Sequence, residues 1–444
     1  MSAVPPLPGP RAEQRLADAR PLLAPGEAVA EAHRCLYCHD APCVAACPTG
    51  IDVPTFIRKI STGNVRGAAR VILSANLLGY SCARVCPVEV LCVGACVYNA
   101  WHRAPPIAIG RLQRYATEAL VRDGGAAALL PRAPATGRRV ACVGAGPASL
   151  ACAGYLALEG VEVTVYEQRA LPGGLNTTGV APYKMHAESA LEEVAFVRSL
   201  GVEIKTGVTV GSDVPFERLL AEHDAVFLGA GLGADARLGI EGEDAPGVTG
   251  AVAWIERMKL HPGAAPDGVR AAVVIGGGNT AIDAARELAR LGVPSVTMLY
   301  RRTAAEMSGY AHELEQARRD GVTLVERAVP ARFERGADGR LAAVTLADGR
   351  AFPCTLAVVA IGQASLAAMV RAVPGVETDA RGRVVADPAT GRTGNPRVFV
   401  GGDAMSGGEL VVTAVQDGKR AARAICETLG VAVRPGAPLA AGHR

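Results

Sequence analysis

The chain has 444 residues, half of them apolar and a fifth charged, with a formal net charge of +3. That length suggests two to four domains around packed cores. The balance excludes a nucleic-acid binder with a one-sided basic field, and no apolar run approaches the roughly 18 residues of a membrane helix. The first 28 residues are rich in Pro, Ala and Arg, carry acids and lack the apolar centre of a secretion signal. They are expected to form a mobile or draped N-terminal segment of a cytoplasmic protein.

Residues 29–122 are read as short helical stretches alternating with cysteine-bearing loops. VPTFIRKI (53–60) and GAARVILSA (67–75) have helical periodicity, and IGRLQRYATEALVR (109–122) is a third predicted helix. Eight of the twelve cysteines lie between Cys35 and Cys96. A dense block followed by a sparse remainder marks a ligand site, whereas a disulfide framework suits a short secreted chain. The first run is Cys35-x2-Cys38-x4-Cys43-x3-Cys47-Pro48, and the second is Cys82-x3-Cys86-Pro87-x4-Cys92-x3-Cys96. Soft thiolates at these spacings suit zinc or iron–sulfur clusters. Zinc sites usually pair two C-x2-C knuckles. Here there is one, and two cysteines precede a proline, as in bacterial two-cluster ferredoxins. Iron–sulfur is the favoured reading and zinc the alternative. Eight cysteines could fill two four-cysteine cubanes, but spacing does not say which cysteine is spare. Cys142, Cys152, Cys354 and Cys426 stand singly in apolar surroundings and read as small buried hydrophobes.

DGGAAALLPRAPATG (123–137) is expected to be a linker. From Arg139 the texture becomes apolar strands, glycine turns and helices, the alternation of a parallel α/β sheet. The first unit carries Gly144-x-Gly146-Pro147-Ala148-Ser149, which permits a tight turn and lets backbone amides approach a pyrophosphate at a helix N-terminus. Ser149 is small enough for close helix–strand packing. VEVTVYE (161–167) follows and ends in Glu167, where an acid accepts hydrogen bonds from ribose hydroxyls. Gly173-Gly174-Leu175 then allows close backbone approach to a large cofactor. A second unit begins at Arg270 with Gly276-Gly277-Gly278-Asn279-Thr280, and its next strand, SVTMLYRR (295–302), ends in Arg301-Arg302 with no acid. Guanidinium groups there can pair with a 2′-phosphate, favouring NADPH; a solvated arginine pair is the plainer alternative. A third glycine signal, Gly401-Gly402-Asp403, precedes a helix predicted to begin near Val411. Asp403 could hold a ribityl hydroxyl, and that helix N-terminus could face a flavin pyrimidine ring.

The order cysteine block, GAGPAS, PGGL, GGGNTA, YRR, GGD is similar to the small subunit of bacterial glutamate synthase and to the N-terminal half of dihydropyrimidine dehydrogenases. The likeness runs from about Ala30 to Leu429. HRCLYCHDAPC (33–43), SCARVCPVEVLC (81–92) and IGRLQRY (109–115) resemble the dihydropyrimidine dehydrogenase branch, above all its bacterial two-subunit form. The resemblance implies that Cys35, Cys38, Cys43 and Cys96 hold one [4Fe-4S] cluster and that Cys47, Cys86, Cys92 and Gln113 hold a second, with Cys82 spare. Glutamate synthase small subunits usually carry a glutamate near the Gln113 position and a compressed Cys-Pro-Ala-Pro-Cys run. By itself, Gln113 reads as a helical glutamine facing solvent.

The resemblance further implies a multidomain protein: an α-helical N-terminal iron–sulfur domain (1–137), then two Rossmann-like α/β nucleotide-binding domains. The FAD domain (138–235 and 363–444) is split by an inserted NAD(P)H domain (236–362). FAD would meet Gly146, Glu167, Leu175, Lys184, Val210, Gly402 and Asp403. NADH or NADPH would meet Gly278, Asn279, Thr280, Arg301, Arg302, Ala360 and Gly362. Ser308 stands where eukaryotic members have a further arginine on the 2′-phosphate, and the bacterial branch uses NADH. The implied activity is hydride transfer from NAD(P)H to FAD and relay of single electrons through the clusters to an FMN-containing partner subunit that reduces uracil or thymine. The alternatives are the input subunit of glutamate synthase and a ferredoxin-linked NADP oxidoreductase.

Overall fold

The chain opens with helices. In the computed structural model, which describes residues 6–101 and 104–439, the helix Val53–Ser61 starts where Asp52 accepts a hydrogen bond from the Thr55 N–H at 3.1 Å. Asn64 caps the next helix, Val65–Ala75, through the Gly67 N–H at 2.8 Å. The longer helices Pro25–His33, Gly79–Val85 and Ile109–Arg122 and the short turns Pro42–Ala45 and Tyr98–Trp101 also belong to the cysteine-bearing region. Its core includes Phe56, Ile57, Ile60, Ile72 and Leu112; Cys82 is buried, and the other seven cysteines of the block are half-buried.

Thirteen strands follow among the described residues: β1 Arg139–Val143, β2 Glu162–Glu167, β3 Glu203–Thr206, β4 Ala225–Leu228, β5 Val248–Gly250, β6 Ala271–Ile275, β7 Ser295–Leu299, β8 Thr323–Val325, β9 Pro330–Arg335, β10 Leu341–Leu346, β11 Ala351–Pro353, β12 Leu356–Val359 and β13 Val398–Val400. They form two parallel five-stranded sheets, β13-β4-β1-β2-β3 and β5-β12-β6-β7-β8, and an antiparallel trio β11-β10-β9. In the first sheet Val143 pairs with Tyr166, so the turns after β1 and β2 lie side by side. The order reverses at β1 in the first sheet and at β6 in the second. Each sheet therefore opens a ligand crevice at the carboxyl ends of its central strands. The helix Pro147–Leu158 follows β1, and the helix Asn279–Arg290 follows β6.

One expectation changes. Residues 123–137 are not a free linker: Ala126, Leu129 and Leu130 are buried in the core of the first sheet, next to Val121 and Tyr155. Their apolar side chains have a surface to cover, so the segment packs. The same core takes in Leu73, Leu77 and Tyr80 from the cysteine region, so the two regions share one interior. The Tyr155 hydroxyl donates to the Ala75 carbonyl at 2.8 Å, and the Ser81 N–H to the Glu193 carboxylate at 2.9 Å.

The N-terminal segment is draped over its described length. Ala12 and Leu16 are buried with Trp254 and Met258 of the second α/β unit, while Leu23 is buried with Phe56 in the cysteine region. Between the two α/β units, the wholly buried Lys259 donates from Nζ to the carbonyls of Asn176, Val180 and Met185 at 2.9, 3.0 and 2.9 Å.

Candidate functional site

A cavity of ≈ 680 Å³ opens at the carboxyl ends of β1, β2, β4 and β13 and reaches the N-terminus of the Asn279–Arg290 helix. It falls within the size of a cofactor site. Of the expected residues, Gly144, Gly146, Pro147, Ala148, Glu167, Gly174, Leu175, Lys184, Val210, Gly402, Asp403 and Val411 line it, together with Asn279 and Thr280.

The glycines explain the shape. At Gly144 φ is +85°, and a Cβ there would come within 2.8 Å of the Gly229 carbonyl oxygen. At Gly174 φ is +55°, and a Cβ would reach 2.7 Å from the Cα of Gly146. Two backbone segments meet without side chains, which leaves the N–H groups at the start of the Pro147–Leu158 helix open to an anion. Ser149 does not line the cavity. It is fully buried, and its hydroxyl donates to the Val143 carbonyl at 3.3 Å, so it serves the helix–strand packing expected of it.

Glu167 is buried at the rim. One carboxylate oxygen accepts the Ala145 N–H at 2.7 Å and the other accepts the Arg169 N–H at 2.8 Å. It thus shapes the glycine turn, with lone pairs left for ribose hydroxyls. Asp403 accepts the Glu409 N–H at 3.0 Å, and burial pushes its pKa up. Lys184 is already engaged: its Nζ lies 2.8 Å from both Asp283 and Glu313. Burial opposes its charge, but the two carboxylates outweigh burial and its pKa is raised.

The remaining nucleotide residues form a second rim. Gly276, Gly277 and Gly278 turn after β6, Ala360 and Gly362 follow β12, and Arg301 and Arg302 follow β7. None of them lines the first cavity. Gly278 faces Ser308, and Asn279 accepts the Tyr310 N–H at 2.9 Å. Arg302 donates to the Tyr300 hydroxyl at 3.1 Å; both arginines are exposed. Sequence reasoning missed the loop Gly229–Asp235 after β4, and also Tyr310, Asp283 and Glu313, all of which line the cavity. The run AVFLGAG (225–231) carried the signal for that loop, an apolar strand ending in glycines.

The cysteines fall into two groups. Cys35, Cys38, Cys43 and Cys96 line one small pocket with Leu36, Val53 and Ile107. Burial, then Cys35, Cys96 and the other neighbours, pushes the Cys43 thiol up to about 12. Cys86 is raised by its hydrogen bond with Cys82, by burial, and by Cys47 and Cys92. Cys92 rises to about 12 through burial and Cys47. Thiols that oppose each other's ionisation become thiolates together only when a cation compensates them, which fits a metal cluster. Among the described residues, no group of three or more His, Cys, Asp or Glu is placed to hold a single metal ion. A cubane draws its thiolates to four separate irons, so wider spacing suits it. Gln113 is buried, not solvent-facing, and its amide donates to the Gly79 carbonyl at 2.7 Å. Val85 and Pro87, on either side of Cys86, line the large cavity.

Residues 138–418 match the pyridine nucleotide-disulphide oxidoreductase family, and residues 12–124 match dihydropyrimidine dehydrogenase domain II, 4Fe-4S cluster. The chain belongs to the pyridine nucleotide-disulphide oxidoreductase family. It is 33% identical over 439 residues to the glutamate synthase [NADPH] small chain of Escherichia coli K12, covering 91% of this chain and 92% of that protein. It is 36% identical over 402 residues to the NAD-dependent dihydropyrimidine dehydrogenase subunit PreT of the same organism, covering 90% and 93%. In fold it is similar to Mycobacterium tuberculosis FprA in complex with NADPH, with a TM-score of 0.54 and 20% identity over 67% of this chain and 85% of that one. The family and the 4Fe-4S domain make this an NAD(P)H-dependent flavin and iron–sulfur oxidoreductase, an electron-input module. Among the described residues, no cysteine lines the large cavity. No helix among the described residues is long and apolar enough to cross a membrane.

Proposed function

We propose that the chain is the input subunit of a pyrimidine reductase: it oxidises NAD(P)H and passes electrons through two [4Fe-4S] clusters to an FMN-bearing partner that reduces uracil or thymine. The observation carrying this reading is buried Gln113 on the Ile109–Arg122 helix, which packs against the Gly79–Val85 helix that runs into Cys86. The Gln113 amide N–H is held by Gly79, which frees the side-chain carbonyl as a fourth ligand. The match of residues 12–124 to dihydropyrimidine dehydrogenase domain II and the 36% identity to PreT support it.

FAD, when bound, accepts a hydride from nicotinamide and gives up electrons one at a time. The chain's own residues do the placing. Gly144, Gly146 and Gly174 clear the way for a pyrophosphate at a helix N-terminus, and Glu167 fixes their turn. Asp403 and Val411 line the same cavity, where a ribityl chain and a ring edge would lie. Asn279 and Thr280 bring the second helix N-terminus to the same cavity, so two nucleotides would meet in one enclosure. Val85 and Pro87 close it against Cys86, which makes the group with Cys47 and Cys92 the first acceptor and that of Cys35, Cys38, Cys43 and Cys96 the second. This reading keeps the division into 1–137, 138–235, 236–362 and 363–444. Arg301 and Arg302 stand where a 2′-phosphate would lie and support NADPH, while the PreT likeness supports NADH.

Glutamate synthase input is the second reading, favoured by the 33% identity over 439 residues. Affinity capture of the tagged chain from its native cells, followed by assays with NADH and NADPH, separates the two. An FMN-containing partner with uracil reduction is expected. A partner that makes glutamate from glutamine and 2-oxoglutarate would overturn the pyrimidine reading.

A further inference from the structure

The N-terminal segment does more than cover a surface. Arg20 donates from one guanidinium nitrogen to the Cys86 carbonyl at 2.7 Å and to the Arg84 carbonyl at 3.3 Å. These are carbonyls at the C-terminal end of the Gly79–Val85 helix, where the helix dipole attracts a cation; that of Cys86 also accepts the Val88 N–H at 2.8 Å. The other nitrogen lies 3.1 Å from Glu89. Glu89 in turn stands 3.5 Å from His312 of the second α/β unit, an ion-pair distance. His312 stacks on Tyr310 at 5.6 Å between ring centroids, and the Tyr310 N–H is held by Asn279 at the nucleotide helix. Arg20 is itself anchored: its N–H donates to Asp18 at 2.8 Å, and its carbonyl accepts from Arg114 at 2.5 Å.

We propose that Arg20 is a positioning residue for the cluster held by Cys86, fixing the Cys86 loop against the flavin cavity and raising that cluster's potential with its charge. The inference rests on Cys86 being a cluster ligand. Two physical effects act together. The two carbonyl bonds hold the backbone on both sides of the Cys86 peptide, so the ligand and the cavity residues Val85 and Pro87 move as one piece. The guanidinium offsets Glu89. Without it, the exposed Glu89 carboxylate, three residues after Cys86, is left uncompensated, and an added electron on the neighbouring cluster is less stable. Charge and hydrogen bonding near a cluster are established levers on its potential.

The test uses the full chain, purified anaerobically, with Arg20→Met, Arg20→Lys and, as a control, Arg15→Ala. Arg15 pairs with Asp267 on the same segment at 2.8 Å and does not touch the cysteine loop. Redox titration followed by electron paramagnetic resonance reads the two clusters, and stopped-flow absorbance separates flavin reduction from cluster reduction. Arg20→Met is expected to lower the midpoint of one cluster and slow its reduction several-fold, with flavin reduction by NAD(P)H unchanged. Arg20→Lys is expected to restore the midpoint in large part. Arg15→Ala is expected to leave both midpoints in place. Unchanged midpoints in Arg20→Met, or an equal shift in Arg15→Ala, would overturn the proposal. Full iron content in Cys86→Ser would instead remove the ligand assignment, and this inference with it.

Discussion

At Gly174 the backbone has φ +55° and ψ −140°, and a methyl group would reach 2.7 Å from the Cα of Gly146. Neither segment can retreat without reshaping the turn that the pyrophosphate would occupy. Gly174→Ala is therefore expected to weaken FAD binding at least about 10-fold, or about 1.4 kcal/mol, while iron content stays unchanged. The flavin-to-protein ratio after gel filtration, beside an iron assay, measures this; full flavin retention would contradict the assignment. Residue roles that follow from size and backbone were legible in the sequence, and Ser149 packs as its small volume requires. Roles that depend on neighbours distant in the chain were not. Lys184 lines the cavity as expected, yet its ammonium is committed to Asp283 and Glu313, about a hundred residues and more further on. Gln113, a helical glutamine with no sequence mark of burial, lies buried against Gly79.

Among the elements, strong periodicity translated directly. The predicted helix 109–122 is observed as Ile109–Arg122, and the helix expected near Val411 runs Val411–Leu429. The segment 123–137 misled because small residues and prolines look alike in a linker and in a packed connection; only the neighbouring core decides. The helix Ala187–Ser199 shows what such packing costs. Its Glu193 is fully buried and bonded to Ser81 of the cysteine region, and burial raises its pKa from 4.5 to about 7. The folded state thus holds a proton that the unfolded chain releases at lower pH. Its stability contribution is full below about pH 4.5 and is lost as pH rises through about 7. Glu193→Gln keeps the Ser81 contact without the titration. Its melting temperature is expected to gain on the parent's between those pH values and to hold that gain above them. Parallel melting curves of the two proteins in that window would refute this.

Over the whole molecule, three regions are tied by a few buried polar contacts as well as by shared cores. Residues 11–23 touch all three, and Lys259 joins the two α/β units through three carbonyls. Lys259→Met fills similar space but leaves those carbonyls unpaired. A loss of about 3 kcal/mol in unfolding free energy is expected, with slower flavin reduction by NAD(P)H; denaturant titration and stopped-flow absorbance measure the two effects. A parent-like unfolding midpoint would show that the carbonyls find other partners. Such long-range ties are invisible to periodicity, since Lys259 reads as one more charged residue on a surface helix. The two nucleotide units and the cysteine block were legible because each is written in a short contiguous run. The most direct test of the electron-input account is anaerobic purification with iron, sulfide, zinc and flavin analysis, followed by titration with NADH and NADPH. About eight irons and about one FAD per chain, bleaching as nucleotide is added, are expected. Flavin without iron, or zinc in its place, would contradict the account.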